Sequence, residues 1–209
     1  MSEGRKHLSM LRSYTPADVL TAGNAACGTT AIFLCLDYVA TDERRFLWIA
    51  FVLLPLALAL DVLDGYVARF DRRHQSVLGA DLDSLADVIS FGVAPAVLGF
   101  TLGLRGGWDM LILIYFVVCG VSRLARFNVT ASALANPETG KVKYFEGTPI
   151  PTSIAIVALL GVAFWTSRID DVLWLGAVRV GPATLHPLTL VYAASGSAMI
   201  SATLRIPKP

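Results

Sequence analysis

The sequence predicts an all-α membrane helix bundle with about six transmembrane helices, and three observations lead there. Of the 209 residues, 55% are hydrophobic and only 16% charged, against the roughly 25% charged of a soluble domain. Mean hydropathy is +0.63. The apolar residues gather into stretches near 18–40, 46–69, 81–104, 108–128, 148–168 and 185–204, each close to the roughly 20 residues that a bilayer crossing needs. A net charge of +1 offers no basic excess for nucleic acid, so no such partner is expected.

Residues 1–17 contain Arg5, Lys6 and Arg12 but no apolar core of signal-peptide length. They read as a short amphipathic cytoplasmic arm, followed by one transmembrane domain over 18–209. The fourth span ends in the basic stretch "VSRLARFNVT" (121–130). The polar connection 129–147 is long, as functional or disordered loops are. The fifth span is uncharged from Gly147 to Ser167. The sixth is uncharged from Val180 to Leu204, and its "YAASGSAMISA" suits close helix packing. "VLWLGAV" (172–178) is too short to cross and is expected at the interface. Cys27, Cys35 and Cys119 lie in apolar stretches with no CxxC or Cys/His cluster, so they read as small buried hydrophobes, without a disulfide.

Orientation follows from the basic residues. With the N-terminus inside, the cytoplasmic segments hold Arg5, Lys6, Arg12, Arg69, Arg72, Arg73, Arg123, Arg126, Lys141, Lys143, Arg205 and Lys208, most of the 17 Lys and Arg. The other side has Arg44, Arg45, Arg105, Arg168 and Arg179. The positive-inside rule then puts both termini in the cytoplasm, and with them the turn between spans two and three.

That turn carries the chemistry. "DVLDGYVARFDRRHQSVLGADLDSLAD" (61–87) places six Asp beside greasy runs. On a helix, residues three, four and seven apart share a face. Asp61, Asp64, Gly65 and Ala68 make one stripe; Gly79, Asp83 and Asp87 make a second. Folded against each other, the two helices bring four carboxylates together under the cytoplasmic face. An Asp at a membrane helix centre costs about 2.5–3.5 kcal/mol, and clustered anions repel. Protonation, pairing with Arg69 and its neighbours, or divalent cations would relieve this. Cations fit best: hard Mg²⁺ or Mn²⁺ takes oxygen ligands, and several Asp in one pocket suit a two-metal clamp on a phosphoryl group. Asp71 and Asp81 read as solvated or salt-bridged acids. Gly65, Ala68 and Gly79 are either packing residues or room for a bulky ligand.

These residues resemble the signature of the CDP-alcohol phosphatidyltransferases, D-x-x-D-G-x-x-A-R, a spacer, then G-x-x-x-D-x-x-x-D. It is filled here by Asp61, Asp64, Gly65, Ala68, Arg69, Gly79, Asp83 and Asp87. The spacer Phe70–Leu78 has nine residues where the family usually has eight, which implies a bulged turn. The resemblance implies that Asp61, Asp64 and Asp83 bind two divalent cations holding the pyrophosphate of a CDP-linked substrate. Asp87 contributes to the metal site and serves as general base. Gly65, Ala68, Arg69 and Gly79 would line the nucleotide; Thr21 and Asn24 either reach it or hydrogen-bond between helices.

"VSRLARFNVT", "KYFEGTPIPTS" (143–153) and "LDSLADVISFGVAPA" (82–96) are similar to the phosphatidylserine synthase branch of that family, as, more weakly, is "DVLTAGNAACG" (18–28). The implied donor is CDP-diacylglycerol and the acceptor L-serine, with CMP released. Arg123 and Arg126 are assigned to the serine carboxylate or a nearby phosphate, although snorkelling anchors at the membrane boundary look the same in sequence. Phe127 shapes the pocket and Glu146 is assigned to the serine ammonium. His74 and His186 are poorly placed for a covalent intermediate, so single displacement is expected. The resemblance also suggests a homodimer among membrane lipids. Three rivals stay open: another acceptor such as inositol, glycerol phosphate or choline; a divalent-cation transporter; and a structural scaffold.

Overall fold

The computed structural model describes residues 14–70, 79–134, 144–201 and 205–207. Residues 1–13 of the arm and most of the spacer, with Asp71 and His74, lie outside them.

Thr15 caps helix α1 (Pro16–Thr41) through a capping box with Asp18, and Pro16 occupies the first turn. The helix therefore starts two residues before the expected boundary at 18. It stops where Asp42 adopts a left-handed φ of 56°. Helix α2 (Arg44–Phe70) returns antiparallel, with Pro55 inside it, as membrane helices tolerate. Helix α3 (Gly79–Asp87) runs into a π-turn (Val88–Val93) and then into α4 (Ala94–Thr101). Pro95 accounts for the wide turn. It has no N–H to donate and its ring would crowd the carbonyl four residues back, whereas i→i+5 spacing relieves that clash. The Ala94 N–H donates to Ile89 O.

Helix α5 (Gly107–Leu134) forms the fourth long crossing. Two shorter apolar helices follow, α6 (Ile154–Trp165) and α7 (Leu190–Ile200), each preceded by a 3₁₀ turn. Among the described residues, four helices are long and apolar enough to span a membrane, and the two shorter ones, Ile150–Trp165 and Pro187–Ile200 including their 3₁₀ turns, stand where spans five and six were expected. Their brevity has local causes. Gly147 (φ 75°) and the prolines at 149 and 151 delay α6, while Ser167 at φ 54° ends it.

The sequence reading missed the strands. A hairpin joins β2 (Val178–Val180) to β3 (Ala183–Leu185), through Gly181 at φ 59° and Pro182, a pairing that suits a type II′ turn. A second pair brings β1 (Tyr144–Glu146) against β4 (Arg205–Pro207), with Phe145 opposite Ile206.

The core lies where α1, α2, α4, α5 and α6 meet. Trp48 and Phe164 meet edge-on at 5.1 Å, a favourable aromatic geometry. The Tyr192 hydroxyl donates to Pro95 O at 2.6 Å. The small residues of α7 serve packing within the chain: a Cβ on Gly196 would sit 3.2 Å from Phe116 Cα of α5. The tightest approach involves α1 and the π-turn. A Cβ on Gly28 would lie 2.4 Å from Ser90 Oγ and 2.7 Å from its Cα. Because backbone must move, Gly28→Ala is expected to cost about 1–3 kcal/mol, read as a lower melting temperature in detergent.

Candidate active site

Asp61, on α2, and Asp83 and Asp87, on α3, offer carboxylate oxygens that all lie within 4.8 Å of one another. Asp87 is buried and the other two half-buried. At an effective dielectric of about 20, two unit charges at such a separation repel by roughly 3 kcal/mol. One oxygen of Asp83, Oδ1, is buried without a hydrogen-bond partner among the described residues, a state that costs free energy unless something binds there. Three convergent hard donors with an unsatisfied oxygen suit a divalent cation, so the residues present fit one.

Asp64 stands slightly apart. Its Oδ2 accepts from Thr21 Oγ1 at 2.5 Å, and the side chain is 6% exposed. Asn24 Nδ2 donates to Asp87 Oδ1 at 3.4 Å. Of the two possibilities for Thr21 and Asn24, hydrogen bonding between helices is what the structure displays. Helix α1 packs against both α2 and α3, so the two acidic helices meet across a third element, not simply face to face. Its buried face runs Asp18, Thr21, Asn24, Gly28, a helical 3-3-4 spacing that the sequence carried in plain view.

Around this centre, Gly65 and Gly79 are half-buried, and Ala68 and Arg69 exposed. Arg69 folds back along its own helix, Nε donating to Gly65 O at 2.8 Å. Arg123 on α5 is half-buried and close enough to Asp87 for direct electrostatic attraction. Its Nε is buried without a partner among the described residues, and its guanidinium lies 6.0 Å from the Phe127 ring centre. Arg126 and Phe127 are exposed, one turn further on. Glu146 belongs to β1, but its side chain lies outside the described residues.

Several polar residues near the site escaped the sequence reading. Asn128 Nδ2 donates to Ser84 Oγ at 3.0 Å, tying α5 to α3. Ser90 Oγ donates to Asn24 O at 2.9 Å, tying the π-turn to α1. His186 lies at the start of the last helical segment, with Nδ1 2.5 Å from the fully buried Asp109. That acid also accepts from Thr189 Oγ1 at 2.7 Å and from the His186 and Gly106 backbone N–H groups, both at 2.8 Å. The cluster sits at the start of α5, 14 residues before Arg123.

Comparison with known proteins bears on this geometry. The family model for CDP-alcohol phosphatidyltransferase matches residues 14–191. A CDP-diacylglycerol–serine O-phosphatidyltransferase of Saccharomyces cerevisiae is 43% identical over 207 residues, which is 97% of this chain and 74% of that protein. An archaetidylserine synthase of Methanothermobacter thermautotrophicus is 35% identical, covering 78% of this chain and 64% of its own length. A CDP-diacylglycerol–serine O-phosphatidyltransferase of Mycobacterium leprae is 37% identical, covering 74% of this chain and 51% of its own length. The match runs through α1 to α6 and into α7, taking in the helices that gather the acidic residues, and the chain belongs to the CDP-alcohol phosphatidyltransferase family.

Proposed function

We propose that this chain is a membrane-embedded phosphatidylserine synthase, which moves the phosphatidyl group of CDP-diacylglycerol to the hydroxyl of L-serine and releases CMP. The observation that carries the reaction class is the convergence of Asp61, Asp83 and Asp87 within 4.8 Å, at the positions where the family signature falls. Support for the acceptor comes from the relatives' names. Those reported above differ in their lipid and share serine.

Asp61, Asp64, Asp83 and Asp87 would hold two Mg²⁺ or Mn²⁺ ions. When bound, such ions neutralise the pyrophosphate and make CMP a tolerable leaving group. Asp87, fixed by Asn24, takes the proton of the serine hydroxyl. The serine oxygen forms a bond to the phosphorus that carries diacylglycerol, and the bond from that phosphorus to the CMP oxygen breaks. Gly65, Ala68, Arg69 and Gly79 line the nucleotide. The unpartnered Nε of Arg123 supports an anionic ligand beside Asp87, and Arg126, Phe127 and Glu146 complete the acceptor side. Catalysis is then positioning and charge stabilisation. The basic residues support a cytoplasmic site and cytoplasmic termini; residues 18–209 are read as one transmembrane domain, and the homodimer rests on the family resemblance.

The test is purified protein with CDP-diacylglycerol, Mn²⁺ or Mg²⁺, and a panel of serine, inositol, glycerol phosphate and choline, scored by CMP. Serine-dependent CMP release is the expected result; release with another alcohol alone overturns the acceptor. Arg126→Ala is expected to raise the serine KM about 10- to 100-fold, as loss of a charged hydrogen bond of roughly 1.5–3 kcal/mol would. The KM for CDP-diacylglycerol should stay put, and an unchanged serine dependence removes Arg126 from the acceptor site.

A further inference from the structure

Helix α1 contributes nothing to the three-carboxylate group, yet it touches the site twice. Thr21 and Asn24 are three residues apart on its buried face, 4% and 0% exposed. Each reaches a different aspartate on a different helix: Thr21 Oγ1 to Asp64 Oδ2 at 2.5 Å, Asn24 Nδ2 to Asp87 Oδ1 at 3.4 Å. The partners are 43 and 63 residues away in sequence. Thr21 Oγ1 also lies 3.1 Å from Ala17 O, and its single proton serves the nearer carboxylate.

The donor helix is itself fixed. Ser90 of the π-turn bonds the Asn24 carbonyl, and Gly28, one turn on, permits the close contact with Ser90. The side chain of Asn24 thus leaves a backbone with little freedom to shift. An ionised carboxylate has two oxygens, and on Asp64 and Asp87 one of the two is occupied by α1. The other oxygen of each is not tied to α1.

We propose that Thr21 and Asn24 are positioning residues, which lock the side chains of Asp64 and Asp87 so that one oxygen of each is presented to divalent cations. This rests on the cation reading above, and it moves both residues from the nucleotide to the metal. Ordering a ligand through its outer hydrogen bond is worth about 10- to 100-fold in metal affinity. Asn24 Oδ1 is buried and unpartnered, so its amide spends its one described hydrogen bond on Asp87.

The experiment is titration of Mn²⁺ alone into the purified protein, followed by calorimetry and by loss of the free-ion paramagnetic resonance signal. Thr21→Val and Asn24→Leu are expected to bind Mn²⁺ about 10- to 100-fold more weakly, and Thr21→Ser, which keeps the hydroxyl, close to wild type. Asp64→Asn sets the scale. If Asp64→Asn weakens Mn²⁺ binding and Thr21→Val does not, the positioning role falls and the cation reading stands. If Asp64→Asn also binds normally, the cation reading of Asp64 falls as well. A raised KM for CDP-diacylglycerol with unchanged Mn²⁺ affinity would return both residues to the nucleotide, and a lower melting temperature with unchanged affinity would make them structural. Should Thr21→Val not fold, Thr21→Ala carries the same expectation.

Discussion

Replacing Asp87 by Asn should give a folded protein that still takes up Mn²⁺ but releases CMP from CDP-diacylglycerol and serine about 10²- to 10⁴-fold more slowly, the range that general-base loss produces. The exchange keeps size and shape, and the neighbouring Asn24 already donates to this side chain. Asp61, Asp64 and Asp83 remain to hold cations, so binding should weaken less than turnover. A stopped assay of CMP alongside Mn²⁺ titration separates the two effects. Near-normal turnover in the variant would remove Asp87 as the base.

The second large effect is on stability. Asp109→Ala deletes an acid that is fully buried and accepts four hydrogen bonds. It leaves the His186 imidazole, the Thr189 hydroxyl and two backbone N–H groups without their partner, and removing one side of such a buried network costs about 3–5 kcal/mol. For a chain of this size that lowers the melting temperature on the order of 10 °C. Asp109 and Arg123 are 14 residues apart on α5, roughly 21 Å at a helical rise of 1.5 Å per residue. Protein that remains folded should therefore keep its serine and CDP-diacylglycerol KM values. A melting temperature unchanged within a degree or two would refute the structural role of the cluster.

Six apolar helices and the acidic turn could be read from sequence because each is a local signal. Hydrophobic runs announce crossings, and the three- and four-residue spacings of Asp61, Asp64, Asp83 and Asp87 announce helix faces. The features that escaped are those set by distant partners or by backbone hydrogen-bond register. Thr21 reveals its bond to Asp64 only once α1 is docked. The Asp109–His186 pair joins residues 77 apart, and neither stands in a motif. Three-residue strands such as Tyr144–Glu146 are too short to show a period of two. The wide turn before Pro95 also escaped, since a proline alone does not say which residue would be accommodated as the extra one.

The π-turn between Asp87 and Pro95 lets this enzyme carry one residue more than a regular helix of the same phase would need. Such a turn holds one residue more than an ordinary helical turn, so it acts as a built-in single-codon insertion. Shortening Val88–Val93 by one would restore regular winding and, because the wide turn absorbs its extra residue within a single revolution, leave the acidic end of the rod close to its present angle about the axis. The cost of a deletion here would therefore fall on Ser90, whose hydroxyl ties this turn to α1, and not on the phase of the carboxylates.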